Sequence, residues 1–243
     1  MPFRLLSLDE LAEYLHLSRP DIEVLVKRQE IPFEKRGDRV MFRKQEIEAW
    51  ASQRILGLED KRLDEYHQKS THGTRDLFES GPILPALLKA EHIAAAMAAK
   101  TRASLLRELV AVAESTGLVM DARELLKSLE EREGLCSTAL PGGLAVPHPR
   151  YHQAYLFETS FIAVGRTLQG IHFGAPDGQP TDLFFLICCQ DDRFHLHGLA
   201  RLCLMVQKTE LLSKLREAED AAAMHECLMA CEQEALQGKT PAA

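Results

Sequence analysis

A chain of 243 residues with 46% hydrophobic and 27% charged side chains has the balance of a globular protein and length enough for two domains. That balance excludes collagen-like, coiled-coil and largely disordered chains, and no run approaches the roughly 20 apolar residues needed to cross a bilayer. Acidic residues outnumber basic ones, 36 to 29, for a net charge of -7, so any nucleic-acid contact must come from a local basic patch.

The N-terminus, MPFRLLSLDELAEYL, meets acidic residues before an apolar signal core can form, which predicts a cytoplasmic protein. In SLDELAEYLHL the residues Leu8, Leu11, Ala12 and Leu15 recur on one helical face, and Ser7 with Glu10 forms a capping box. After a break at Leu17, Ser18-Arg19-Pro20-Asp21 starts a second helix whose buried face is Ile22, Leu25 and Val26. IPFEKRGDRVMF then reads as a hairpin around Gly37-Asp38, and KQEIEAW as a short helix packing through Ile47 and Trp50.

This order, helix, turn, helix, hairpin, helix, resembles a small winged helix-turn-helix of the excisionase-like type, carried by SLDELAEYLHLSRPDIEVLVKRQEIPFEKRGDRVMFRKQEIEAW within a domain of residues 1–54. The resemblance implies a second helix in the major groove and a wing along the phosphate backbone. Lys35, Arg36, Arg39, Arg43 and Lys44 form the basic wing, with Asp38 the one acid counted among them. Asp21 and Glu23 on the second helix oppose groove reading, and acid and base nearly balance across the unit. DNA binding and a scaffold for protein contacts both stay open.

Residues 55–81 are polar and charged and read as a linker in which His67 and His72 have no assigned role. From Pro82 to 238 the chain is apolar again. HIAAAMAAKTRASLLRELVAVAESTG is predicted as a helix ending at Gly117, and ARELLKSLEEREG as another ending at Gly134. ALPGGLAVPHPR is a Gly/Pro-rich loop, and FETSFIAVGRT and TDLFFLICC are strands, the latter buried on both faces. HLHGLARLCLMVQKTELLSKLREA and DAAAMHECLMACEQEAL are helices, and the tail from Leu236 has nothing to pack. Helices and strands interleaved in this way predict a layered α/β domain with one central mixed sheet flanked by helices.

A histidine between prolines, after a glycine-rich stretch that permits close approach, suits a nucleophilic imidazole that accepts a phosphoryl group. The segment from Arg132 through LCSTALPGGLAVPH resembles the active-site signature of the fructose/mannitol/nitrogen-regulatory class of enzyme IIA proteins of the phosphoenolpyruvate-dependent sugar phosphotransferase system. GIHFGAPDGQPTDLFFLICC and HLHGLARLCLMV resemble two further motifs of that class in the same order. The resemblance implies His148 as phosphoacceptor, His195 beside it, Arg132 as the neighbouring cation, and Ser137 and Thr138 as phosphate-binding positions. It implies the histidine phosphocarrier protein as donor, no cofactor, and a separate IIB or a regulatory protein as a further partner; a homodimer stays open.

Pro149 departs from the small residue usual after the histidine, and Thr181 from a valine, a minor change at a strand edge. His197 is expected in solvent or in packing, and His172 and His225 in surface or core roles. His148 with His152, or His195 with His197, lack a third ligand at helical spacing, so no metal site is assigned. The six cysteines, Cys136, Cys188, Cys189, Cys203, Cys227 and Cys231, form no CxxC pair and are expected as reduced, buried thiols. The leading reading is a regulatory IIA protein phosphorylated on His148 and coupled to a DNA-binding domain. A regulator whose IIA-like domain only senses, a scaffold, and a sugar-transport IIA remain as rivals, and both nitrogens of His148 remain candidates for the phosphoryl group.

Overall fold

The computed structural model divides the chain into two units, Met1–Ser80 and Gly81–Ala243, and describes residues 5–15, 17–37, 39–56, 81–151, 154–190 and 192–237. Asp38, His67, His72 and His152 lie outside the described residues, as do most of the expected linker and the tail beyond Gln237.

In the first unit Ser7 starts α1 (Leu8–Leu15) by the expected reciprocal cap: its N–H donates to Glu10 Oε2 at 2.8 Å and its Oγ accepts from Glu10 N at 3.3 Å. Ser18 caps α2 (Arg19–Lys27), accepting from Asp21 N at 3.3 Å, with Pro20 in the first turn. The hairpin pairs β2 (Glu34–Arg36) with β3 (Arg39–Arg43) across Gly37, whose φ of +61° suits a residue without a Cβ. A strand that the sequence pattern does not reveal, β1 (Leu5–Leu6), adds to the other side of β3 and gives the order β1-β3-β2. The last helix, α3 (Lys44–Leu56), is about a turn and a half longer than KQEIEAW. Leu11, Leu15, Ile22, Phe42, Ile47 and Ile55 are fully buried, and the Trp50 indole donates to Glu30 O at 2.6 Å.

The second unit begins with α4 (Leu84–Leu87) and a 3-10 turn. The predicted helix from His92 to Gly117 is corrected here: its first part is a strand, β4 (Ile93–Met97), and only α5 (Arg102–Ser115) is helical. Alanine favours a helix by tenths of a kcal/mol per residue, whereas IAAAM gains a parallel ladder with β7 (Phe161–Ile171). Thr101 and Ser104, each accepting the other's backbone N–H, mark the true helix start. After α6 (Ala122–Leu135), the glycine-rich loop holds two short strands, β5 (Ala139–Leu140) and β6 (Leu144–Ala145). Beyond β8 (Thr181–Cys188), the predicted single helix breaks at Thr209 and Glu210 into α7 (Asp192–Lys208) and α8 (Leu211–Glu217). The final helix is α9 (Ala221–Gln237).

The five strands order as β4-β7-β8-β6-β5, mixed in direction. The central strand β8 alternates Phe184, Leu186 and Cys188 into the core under α5 and α6 with Leu183, Phe185 and Ile187 on its other face, all buried. Burial pushes the Cys188 thiol well up and Cys203 to about 12, which keeps both protonated. Thr181 is not a peripheral change: it is fully buried, and its hydroxyl has no hydrogen-bond partner among the described residues.

One buried ion pair ties the start of this unit to its helices. Arg201 on α7 donates to Glu232 on α9 at 2.7 Å, both almost wholly buried, and to Gly81 O at 3.2 Å. Glu232 also accepts from Ile83 N and Leu84 N, at 2.8 and 3.0 Å. Removing the carboxylate takes from a buried guanidinium its partner on α9 and from two backbone donors their acceptor. Glu232→Ala is therefore expected to lose about 3–5 kcal/mol, seen by calorimetry of the full chain as a lowered unfolding transition.

Candidate active site

The site is built where α6 ends and where the chain leaves β6. In the last turn of α6, Arg132 and Glu133 are both buried. Glu133 folds over the next stretch, accepting from Thr138 N at 3.0 Å and from Thr138 Oγ1 at 2.7 Å. The chain then makes the β5–β6 hairpin and runs along β8, with Ile187 N donating to Pro147 O at 3.0 Å. His148 follows and is only 2% exposed.

Its ring is fixed at both nitrogens. Nδ1 lies 2.9 Å from Val146 O, and because a carbonyl can only accept, Nδ1 carries the proton. Arg132 Nε donates to Nε2 at 3.0 Å, so Nε2 presents its lone pair. The Nε–H of a guanidinium shares an edge with one N–H of Nη2. Arg132 Nη2 is buried with no hydrogen-bond partner among the described residues, so a donor is held on the edge that faces Nε2. The other nitrogen, Nη1, is anchored on Cys136 O and Sγ at 3.1 and 3.2 Å. His195, in the first turn of α7, packs its ring 4.6 Å from that of His148 at a tilt of 45°.

Arg132, His148 and His195 thus stand together. Ser137 and Thr138 lie in the same segment, but their hydroxyl protons are already donated, Ser137 to Phe173 O at 2.6 Å and Thr138 to Glu133. His197 is buried, so its role is in packing rather than in solvent, while His172 is exposed and His225 lies 3.3 Å from Leu88 O. Of the cysteines, Cys188, Cys189, Cys203 and Cys231 are buried as expected, whereas Cys136 and Cys227 are only half-buried.

In the first unit the wing residues divide by face. Arg36, Arg39 and Arg43 share one side of the hairpin with Glu34, and Lys35 lies on the other. Glu34, which the sequence reading passed over, pairs with Arg36 at 3.2 Å and with Arg43 at 3.0 Å. The Arg43 hydrogen bond holds its carboxyl below the usual carboxylate range. Lys44 pairs with Glu48 at 3.4 Å, whereas Lys35 and Arg39 form no ion pair among the described residues. On α2, Arg19 is held between Asp9 and Glu23 at 2.8 and 3.1 Å.

A family model described as phosphoenolpyruvate-dependent sugar phosphotransferase system, EIIA 2, matches residues 86–230, and a helix-turn-helix domain model matches residues 5–55. The chain belongs to the EIIA type 2 family. It is 33% identical over 145 residues to a nitrogen regulatory protein of Bradyrhizobium diazoefficiens, covering 58% of this chain and 92% of that one. The crystal structure of nitrogen regulatory protein IIA-Ntr from Neisseria meningitidis superposes with a TM-score of 0.52 at 26% identity, over 59% of this chain and 97% of that one. With the fructose-specific EIIABC component of Bacillus subtilis it is 29% identical over 127 residues, spanning 20% of that protein. No helix among the described residues of this IIA protein is long and apolar enough to cross a membrane.

The tautomer follows from the two bonds alone. In 15N NMR of the folded IIA protein near neutral pH, His148 is expected to show a protonated Nδ1 and an unprotonated Nε2. Arg132→Gln should shift the Nε2 signal, and the reverse tautomer in the wild type would contradict the geometry.

Proposed function

We propose that this protein is a regulatory IIA that accepts a phosphoryl group on His148 Nε2 from the histidine phosphocarrier protein in the cytoplasm. The observation that carries the reading is the chain of contacts Val146 O, His148 Nδ1, His148 Nε2, Arg132 Nε. Arg132 Nε–H moves from the Nε2 lone pair to a phosphoryl oxygen, the freed lone pair attacks phosphorus, the bond to the carrier's imidazole nitrogen breaks, and its electron pair stays on the carrier ring. Positive charge then builds on the His148 ring, where the Nδ1–H to Val146 O bond strengthens. The phosphoryl oxygens gain the Arg132 donors, since phosphoryl transfer is mostly positioning and charge stabilisation. His195 packs against the ring and limits its orientations. Contact of Ser137 or Thr138 with a phosphoryl oxygen would require their present hydrogen bonds to be exchanged.

Intact mass after incubation with phosphoenolpyruvate, enzyme I and the carrier tests the reading. The wild type should gain one phosphoryl group, His148→Ala none, and Arg132→Gln should accept it about 10²–10³-fold more slowly. No gain in the wild type with active carrier overturns it.

The helix-turn-helix unit supports a regulatory output over sugar transport, and its wing supports DNA phosphates as one target. Glu34 tempers that wing, because two of its arginines are already paired. If the unit binds DNA, Glu34→Gln should tighten binding severalfold and steepen its salt dependence, measured by fluorescence anisotropy on duplex DNA at two salt concentrations. A wild type and variant that both ignore DNA would favour the other reading, a protein-contact unit, for which the acids around α2 speak.

A further inference from the structure

Just ahead of the site, the β5–β6 hairpin turns through Gly142 and Gly143, both at positive φ, +88° and +83°. A bidentate ion pair from two other elements grips this turn. Arg216 on α8 donates through Nε and Nη2 to Asp182 on β8 at 2.8 and 2.7 Å, and Nη2 also donates to Gly142 O at 2.6 Å. Gly143 lies so close beneath the pair that an added Cβ would stand 2.5 Å from Arg216 Nη2 and 2.9 Å from Asp182 Oδ1. On the outer side Asp177 accepts from Gly142 N at 3.0 Å.

The grip sets where β6 docks. Gly143 O accepts from Asp182 N and Leu183 N at 3.0 and 3.1 Å, Leu144 pairs with Leu183 and Ala145 with Phe184, and Ile187 N then holds Pro147 O. Val146 O, the acceptor for His148 Nδ1, lies inside this docked run. Arg216 is itself anchored, because Arg166 on β7 donates through Nη1 to the carbonyls of Leu215, Arg216 and Ala218 at the end of α8. A shift of the hairpin along β8 would move Val146 O and His148 together against Arg132, which is held separately on Cys136.

We propose that Arg216 and Asp182 are positioning residues for phosphoryl transfer: by clamping the Gly142–Gly143 turn they set the alignment of His148 Nε2 with Arg132. The proposal rests on the reading of His148 as phosphoacceptor for its kinetic consequence but not for its structural one. Both side chains are partly exposed, with side-chain exposures of 38% and 27%, so their replacement leaves the core intact.

The test uses the full chain with Arg216→Ala, Asp182→Asn, the double variant and Arg216→Lys. Single-turnover transfer from the phosphorylated carrier should slow about tenfold in either single variant, with half-saturating carrier concentration unchanged. The double variant should be no slower than the singles, and Arg216→Lys should recover part of the rate through its bond to Gly142 O. Independently of transfer, 15N NMR of His148 in Arg216→Ala should show a shifted Nε2 signal, as the Arg132 contact loosens, with the proton kept on Nδ1. If the wild type accepts no phosphoryl group, the phosphoacceptor reading fails while the NMR shift still tests the clamp. Folded variants with wild-type rates and an unchanged His148 spectrum overturn it, as does a rate loss that merely follows the folded fraction.

Discussion

An imidazole offers two nitrogens of nearly equal basicity, and left in water it exchanges its proton between them. In this protein the exchange is stopped by a backbone carbonyl two residues upstream and a guanidinium from the end of another helix. Because Val146 O accepts and Arg132 Nε donates, only one tautomer satisfies both, and the ring's lone pair is confined to Nε2. Burial matters as much as the bonds. A ring 2% exposed, beside a guanidinium 3% exposed, sits where hydrogen bonds are stronger than in water and where an unmatched donor is costly. The Nη2 group of Arg132 is such a donor, and an incoming phosphoryl oxygen would satisfy it.

The surrounding architecture serves that short chain of contacts. Arg132 is anchored on Cys136, and Glu133 holds Thr138 so that the backbone leaves α6 in one direction. The hairpin docks on β8, buried from Leu183 to Cys188, and α7 brings His195 onto the ring. The Arg201–Glu232 pair does different work, fastening the first residues of the IIA unit to α7 and α9. It adds no reactive group, and its contribution is to the stability of the unit that carries the site.

Much of this was legible in the sequence because it is local. The capping residues Ser7 with Glu10 and Ser18 with Asp21, the hairpin about Gly37 and the apolar run of β8 each follow from residues a few positions apart. That Arg132, His148 and His195 come together was legible through a resemblance to a family signature, not through spacing, because they lie in three different segments. What escaped has a common physical cause. Ile93–Met97 has helical composition and becomes a strand only because β7 offers a ladder. Glu34 acts on Arg43 across a hairpin, and Arg216 meets Gly142 across 74 positions of chain, a pairing that no local pattern announces. The break at Thr209 and Glu210 carries neither glycine nor proline, although Thr209 turns its hydroxyl back onto Met205 O at 2.8 Å.

The most direct test of the central claim is the site of the phosphoryl bond within His148. After phosphorylation by the carrier, 15N–31P coupling in protein labelled at histidine nitrogens reports which ring nitrogen holds phosphorus. The account predicts coupling to Nε2 of His148 with the proton retained on Nδ1. Phosphorus on Nδ1, or on any other histidine, would contradict it.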